Sequence, residues 1–147
     1  MAGIEYMDSV MLYMKEGSGA IGNELKWYGV RLDKVRIELT EAKNMQITGL
    51  KDVNKCTFKV YDVDLPLPYS ASPDTEHKQL TFKAGDFFAI CKKADLNIDI
   101  SLPEGLLSDN EYESGLFEYV SSEYGMAYMI KTIDHYSLIL HWHIGGS

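Results

Sequence analysis

Three histidines near the end of the sequence come closest, by type and spacing, to a chemical site. His141 and His143 flank Trp142. On a β-strand their imidazoles would share one face about 7 Å apart, with His135 lying across a predicted turn. Three imidazoles can bind zinc, but no carboxylate follows in the last four residues, no cysteine is nearby, and alternating histidines are more common on a solvated strand face. The pattern favours solvated histidines, with a metal site at His135, His141 and His143 as the alternative.

Two other motifs copy parts of ligand sites but lack what those sites need. Gly17–Gly22 matches the dinucleotide-binding G-x-G-x-x-G pattern, which requires a following helix. The sequence instead passes into β-like alternation, so a flexible hairpin loop is favoured. Asp95, Asn97 and Asp99 copy the start of an EF-hand loop, but isoleucine and leucine occupy the positions that need Gly and Glu. These three residues are therefore predicted to form the polar face of a strand.

The acidic residues are unevenly distributed along the chain. The 147 residues include 22 acids and 14 bases, which gives a formal net charge of -8. Because Lys and Arg supply most of the affinity for nucleic-acid phosphates, this balance argues against sequence-specific DNA or RNA binding. The whole imbalance lies between Ala94 and Ile130, a stretch without Lys or Arg. Its acids are the candidate partner-facing residues: Asp95, Asp99, Glu104, Asp109, Glu111, Glu113, Glu118 and Glu123.

The sequence offers no catalytic residue. It contains neither a Gly-x-Ser-x-Gly elbow nor a Walker loop, and one sequence cannot place two carboxylates at a catalytic separation. We therefore predict a protein without enzymatic activity or cofactor. Tyr supplies 10 of the aromatic residues, a bias that is typical of protein interfaces and equally of half-exposed strands in a small β domain.

The length of 147 residues and the absence of an internal repeat or an obvious linker predict one domain over residues 1–147. Apolar and polar residues alternate with period two along most of the chain, which predicts β-strands. In one strand the alternation slips between Leu32 and Val35, which predicts a bulge or a turn near Asp33. Cys56 and Cys91 are expected to be reduced core residues. Strands are predicted at about residues 9–15, 30–39, 56–61, 80–82, 87–91, 95–100, 127–133 and 138–144.

The remaining segments are predicted to be loops and one helix. The proline-rich stretch 65–77 predicts a long exposed loop. A short helix is predicted at about 115–124, capped by Ser114 and stopped by Gly125. A turn is expected at 134–137. The fold class is mainly β, a small antiparallel barrel or sandwich with one short helix and long loops. No signal peptide or membrane span is expected.

Several segments occur in an order that points to one family. They are Trp27–Val30, Ile47–Leu50, Leu80–Phe88, Tyr128–Ile133 and His141–Gly146. This order resembles small virion proteins encoded among the head and neck genes of tailed phages and prophages of Gram-positive bacteria. Those proteins are labelled minor capsid or head–tail connector proteins. The segments with the most specificity are Leu80–Asp86 and the His-Trp-x-Ile-Gly-Gly ending.

The resemblance implies a structural role in the virion, with assembly in the bacterial host cytoplasm. Such a subunit would form a homo-oligomeric ring with other neck, portal or tail proteins and would join head to tail, close to DNA without specific binding. An acidic lumen would repel phosphates and let the genome slide, so some of the eight acids are expected to face the channel. One alternative is an acidic immunity or inhibitor protein that binds a basic partner. A small metal-binding β-barrel protein that uses the three histidines is the other.

Overall fold

A computed structural model describes residues 6–16, 25–40, 55–70 and 78–147. Within these ranges the chain forms eight β-strands, one α-helix and three short 3-10 turns. The 3-10 turns cover Asp62–Asp64, Ala94–Leu96 and Asp109–Glu111. The other elements are β1 (Asp8–Glu16), β2 (Lys26–Thr40), β3 (Lys55–Tyr61), β4 (Phe87–Lys93), β5 (Ile98–Asp99), β6 (Gly105–Ser108), α1 (Leu116–Tyr124), β7 (Ala127–Tyr136) and β8 (His141–Gly146).

Six of the strands close into an antiparallel barrel. The order around it is β1, β2, β3, β8, β7 and β4, and β4 pairs with β1 to complete the circle. Two short strands extend it, since β5 pairs with β4 and β6 pairs with the first residues of β2. The mainly β prediction is confirmed, and of its two architectures the barrel is the one formed.

The irregularity predicted in β2 is a bulge. The pairing of β1 with β2 shifts register between Asp8 and Val10, so β2 has one residue more than its partner at this point. The extra residue lets Leu32 and Val35 both point inward, and both are fully buried. An apolar slip without a break in the strand therefore marks a bulge.

Two hydrophobic clusters lie on opposite faces of the barrel wall. The first fills the interior and includes Phe58, Phe88 and Ile144. The second lies outside, where alternate residues of β1 and β4 pack against α1 through Leu116 and Val120. Strand β4 is consequently buried on both faces, which explains its almost continuous apolar sequence.

Helix α1 lies where it was predicted, but the predicted cap, Ser114, does not cap it. Gly115 is the residue before the first turn, and Ser114 makes no capping hydrogen bond. The Leu116 amide donates instead to Asp109 Oδ1 at 2.9 Å. Gly125 ends the helix as predicted, in a left-handed conformation with φ of 79°.

Three predicted strands and one predicted turn differ in the structure. Residues 80–82 are buried but are not a strand, because Leu80 makes only a single bridge, to Tyr69. The prediction for 95–100 is wrong over most of its length, since a 3-10 turn covers Ala94–Leu96 and left-handed Asn97 (φ 55°) leaves only the two residues of β5.

The predicted boundaries of the last hairpin are also wrong. The turn predicted at 134–137 is displaced, because β7 continues to Tyr136. The strand predicted at 138–144 begins only at His141, since residues 137–140 form the turn.

The remaining predictions concern the cysteines, two loops and the end of the chain. Cys56 and Cys91 are both buried and unpaired, as expected of reduced core cysteines. Gly17–Gly22 lies outside the described residues, as does 71–77 of the predicted long loop. Gly145 and Gly146 are the last two residues of β8.

Candidate assembly surface

The hairpin between β7 and β8 ends in three consecutive exposed aliphatic side chains. The turn occupies residues 137–140. Leu138 is fully exposed, Ile139 is 64% exposed and Leu140 is 53% exposed. Val63, in the neighbouring 3-10 turn, is 75% exposed. We call Leu138–Leu140 the hairpin tip. Burying one such side chain stabilises a contact by about 1.5–3 kcal/mol, so the hairpin tip is a candidate docking surface.

Hydrogen bonds hold the backbone of the hairpin tip in place. The amide of Asp62 donates to the carbonyl oxygen of Leu140 at 3.1 Å. His135 Nε2 lies 3.0 Å from an oxygen of the Asp62 carboxylate, and His141 Nδ1 contacts the carbonyl oxygen of Ile139. The aliphatic side chains are therefore presented on a fixed backbone, which lowers the conformational entropy lost on docking.

The turn that forms the hairpin tip was not predicted from the sequence, because its residues are atypical of a turn. Turn prediction relies on Gly, Pro, Asn, Asp and Ser, and Asp134–Ser137 matched that composition. The true turn, residues 137–140, contains only one such residue. The available signal was an unbroken aliphatic run that fits neither face of an alternating strand, since Leu138, Ile139 and Leu140 cannot all point inward.

The structure separates the three candidate metal ligands onto two faces. His135 is paired with Trp142 on the side that continues the barrel interior, with ring centroids 4.3 Å apart. His141 and His143 lie on the outer face, with ring centroids 4.7 Å apart. In the described part of the chain no three His, Cys, Asp or Glu side chains are grouped as metal ligands.

The acidic stretch forms the layer that covers the outer wall of β1 and β4. Seven of its eight acids are exposed: Asp95, Asp99, Glu104, Glu111, Glu113, Glu118 and Glu123. Asp95 is paired with Lys93, at 2.7 Å between Nζ and Oδ1, and this pairing lowers the pKa of Asp95. The other six are available for a partner or a channel, and no contact between them defines a catalytic pair.

Asp109 has an internal role instead. Its Oδ1 accepts hydrogen bonds from Trp27 Nε1 and from the amide of Leu116, both at 2.9 Å. It thereby joins the start of α1 to β2. The carboxylate is half-buried, and a second role at a partner surface would have to compete with these two bonds.

We expect Asp109→Ala to lower the free energy of unfolding by about 2–3 kcal/mol, because two donors lose their acceptor in a partly buried place. Urea denaturation followed by tryptophan fluorescence measures this. Glu111→Ala, two residues along and exposed, is the matched control and should change the free energy by less than about 0.5 kcal/mol. Equal effects of the two substitutions would contradict the internal role of Asp109.

Comparisons with protein-family models, with curated protein sequences and with solved structures find no match to this chain. Among the residues that the structure describes, no helix has the length and apolarity to span a membrane. The candidate function therefore depends on the described surfaces and on the segment order noted above.

Proposed function

We propose that this protein is a non-enzymatic assembly subunit that forms a homo-oligomeric ring in the head–tail neck of a tailed phage. The ring joins head to tail and lines or seals the DNA channel, together with other neck, portal or tail proteins, in the virion. The observation that carries the assembly role is the hairpin tip, with its three exposed aliphatic side chains on a hydrogen-bonded backbone. The location in the neck is supported by the resemblance of the segment order.

The occupant that we propose for the hairpin tip is a second copy of this chain. The tip protrudes from one edge of the barrel, while the acidic layer covers the wall formed by β1 and β4. A contact between two different surfaces of identical subunits is heterologous, and such contacts give a ring when the rotation between neighbours closes and a filament when it does not. Asp62, Asp64 and Asp134 lie close to the tip in the chain or in the sheet. These acids disfavour the anionic headgroups of a membrane as the partner.

The oligomeric state tests this proposal. We expect the purified protein to form rings, visible by negative-stain electron microscopy and measured as a single mass by light scattering. The double variant Leu138→Ser/Ile139→Ser should be monomeric, because each lost side chain removes about 1.5–3 kcal/mol from every contact. It should keep the far-UV circular dichroism spectrum and the cooperative unfolding of the folded subunit, with a melting temperature that no longer depends on protein concentration.

A matched control separates docking from a general loss of surface apolarity. Leu96 is 50% exposed and lies in the 3-10 turn after β4, so Leu96→Ser should leave the rings intact. A monodisperse monomer at high concentration, or rings that survive the double substitution, would contradict the proposal.

The location in the neck needs its own test. Antibodies against the protein should label virions at the junction of head and tail, and the neighbouring genes should encode portal and tail proteins. In the ring, we propose that exposed carboxylates such as Glu118 and Glu123 face the channel and repel DNA phosphates. A ring structure with all eight acids on its outer wall would contradict this orientation.

The exposed acids also keep the inhibitor alternative open as a second candidate. That function predicts a monomer that binds one basic protein, and it predicts that charge reversal at Glu118 and Glu123 abolishes binding. Rings of the unmodified protein together with unchanged ring formation in the reversed variant would argue against it.

A further inference from the structure

A depression on the outer face of β3, β8 and β7 combines cations and hydroxyls. Its volume is about 240 Å³. It is lined by Lys55 and Thr57 of β3, by Lys131 and Thr132 of β7, and by Gly145, Gly146 and Ser147 at the end of β8. We call this depression the Gly145 cleft.

Strand register builds the Gly145 cleft. Thr57 on β3 and Thr132 on β7 are both paired directly with Gly145 on β8. A Cβ atom at position 145 would lie 2.3 Å from Thr132 Oγ1 and 3.6 Å from Thr57 Oγ1. The Thr132 hydroxyl therefore occupies the space that a side chain at position 145 would need, and only glycine lets this hydroxyl lie against the backbone of β8.

The charge at the Gly145 cleft comes from two lysines. The register between β7 and β8 shifts between Ile130 and Thr132, so Lys131 is the extra residue of a bulge. Within the described residues neither Lys131 nor Lys55 forms an ion pair, whereas the net charge of the whole protein is negative. The cleft is thus a cationic place on an acidic molecule.

The next row of residues adds little net charge to the cleft. Lys59 is paired with Glu38 at 3.4 Å. His143 lies opposite Asp134, and partial burial together with nearby Lys59 lowers the pKa of His143. At neutral pH the positive charges that line the Gly145 cleft are therefore those of Lys55 and Lys131.

We propose that the Gly145 cleft binds a phosphate group, with Lys55 and Lys131 supplying charge and Thr57 and Thr132 supplying hydroxyl donors. Ammonium groups and hydroxyls are common phosphate partners, and all four of these side chains line the same depression. Ring formation does not require this site, so it is independent of the function proposed above. The phosphate comes from a nucleic-acid backbone or from a free phosphate compound, and both sources share this chemistry.

Amide chemical shifts in the intact protein test the proposal. Inorganic phosphate, titrated at constant ionic strength against chloride, should shift the amide signals of Thr57, Thr132 and Gly145 in a saturable way. Lys55→Gln/Lys131→Gln should weaken the apparent affinity at least about tenfold. Thr57→Val/Thr132→Val keeps the shape of both side chains and should weaken it to a smaller extent.

Matched controls and a second ligand sharpen the result. Lys15→Gln/Lys34→Gln removes the same charge at two exposed positions elsewhere and should leave the affinity unchanged. A short DNA duplex that shifts the same signals and is displaced by phosphate identifies a backbone phosphate as the source, whereas shifts with inorganic phosphate alone identify a free compound. Absence of saturable shifts at these three residues, or equal losses in both lysine pairs, would overturn the proposal.

Discussion

Gly146→Ala should destabilise the protein by about 3 kcal/mol or more, a large share of the stability of a single domain. A Cβ atom at this position would lie 2.7 Å from the carbonyl oxygen of Met129 and 2.9 Å from Phe88 Cε1. The first of these atoms is backbone of β7, so no side-chain rotation relieves the clash. The new methyl group would push apart two strands at the point where β8 joins β3 to β7.

Two other glycines provide the controls for this effect. Gly125 has open space around its Cα and a φ of 79°, so Gly125→Ala should cost only the left-handed conformation, about 1–2 kcal/mol. At Gly145 the obstacle is the Thr132 hydroxyl, 2.3 Å from the place that a Cβ atom would occupy. Gly145→Ala should therefore be partly rescued by Thr132→Ala, whereas trimming Phe88 should not rescue Gly146→Ala.

Urea denaturation of each variant, with the free energy extrapolated to zero urea, measures these differences. A cost for Gly146→Ala no greater than that for Gly125→Ala would show that β7 and β8 can separate easily. The close packing of strands that we assign to the end of β8 would then be wrong.

Sequence patterns predicted those parts of the fold that follow from local rules. The slip between Leu32 and Val35 predicted a bulge or a turn near Asp33, because burial of both side chains needs an irregularity, and the structure has the bulge. Gly125 predicted a helix end because a left-handed residue is required there. Neither inference needed knowledge of distant contacts.

The errors arose where distant contacts decide the backbone. Residues 80–82 alternate like a strand, but Phe82 packs against Tyr69 and Trp142. The segment therefore adds its side chains to the interior cluster without joining the sheet. At Asn97 the left-handed backbone interrupts an alternation that the sequence continues. A period-two pattern shows which side chains are buried, but it does not show whether the backbone finds a strand partner.

The acids of the stretch between Ala94 and Ile130 do not have equal roles in the structure. Asp109 makes two internal hydrogen bonds, whereas Glu118 and Glu123 are exposed on α1. Sequence alone cannot separate these cases, because an acid that accepts from Trp27 is 82 positions distant from its donor. The hairpin tip was missed for the complementary reason, since apolar residues in a turn violate the rule by which turns are found.

The segments that carry the family resemblance have structural roles in this chain. Trp27 is buried and donates to Asp109. Gly85 has a φ of 99° in the turn before β4, and Gly146 permits the close packing of β8 against β7. These residues account for the shape of the barrel. The surfaces proposed for function, the hairpin tip and the Gly145 cleft, lie mostly outside the specific segments.

Asp86→Asn should stabilise the protein by up to about 3 kcal/mol at pH 7.5 and by little at pH 4. Asp86 is fully buried. Oδ1 accepts from the amide of Lys15 at 3.0 Å, whereas Oδ2 has no hydrogen-bond partner in the described structure. Burial raises the pKa of this carboxyl from 3.8 to about 6, despite the opposing effects of the Lys15 amide and of nearby Lys83 and Lys15.

The direction with pH follows from the proton balance. The folded state holds the Asp86 proton more tightly than the unfolded chain, so the contribution of this group to stability is complete below about pH 4. It is lost as the pH rises through about 6. Each unit of pKa difference corresponds to about 1.4 kcal/mol, which gives the upper value. The asparagine amide in the variant does not titrate and keeps an acceptor for the Lys15 amide. The stability difference between variant and unmodified protein should therefore grow from about pH 4 to about pH 7 and then level off.

Asp8→Asn is the control that should behave in the opposite way. Asp8 is also buried, but both of its oxygens accept backbone hydrogen bonds, from Ile37 at 3.0 Å and from Ala94 at 3.3 Å. An amide NH₂ group would face one of these donors, so Asp8→Asn should destabilise the protein by about 1–3 kcal/mol at neutral pH. Urea denaturation of both variants between pH 4 and pH 8 makes the comparison. If Asp86→Asn lowers stability at pH 7.5 as Asp8→Asn does, Asp86 is an anion whose hydrogen bonds stabilise the fold, and the raised pKa assigned to it is wrong.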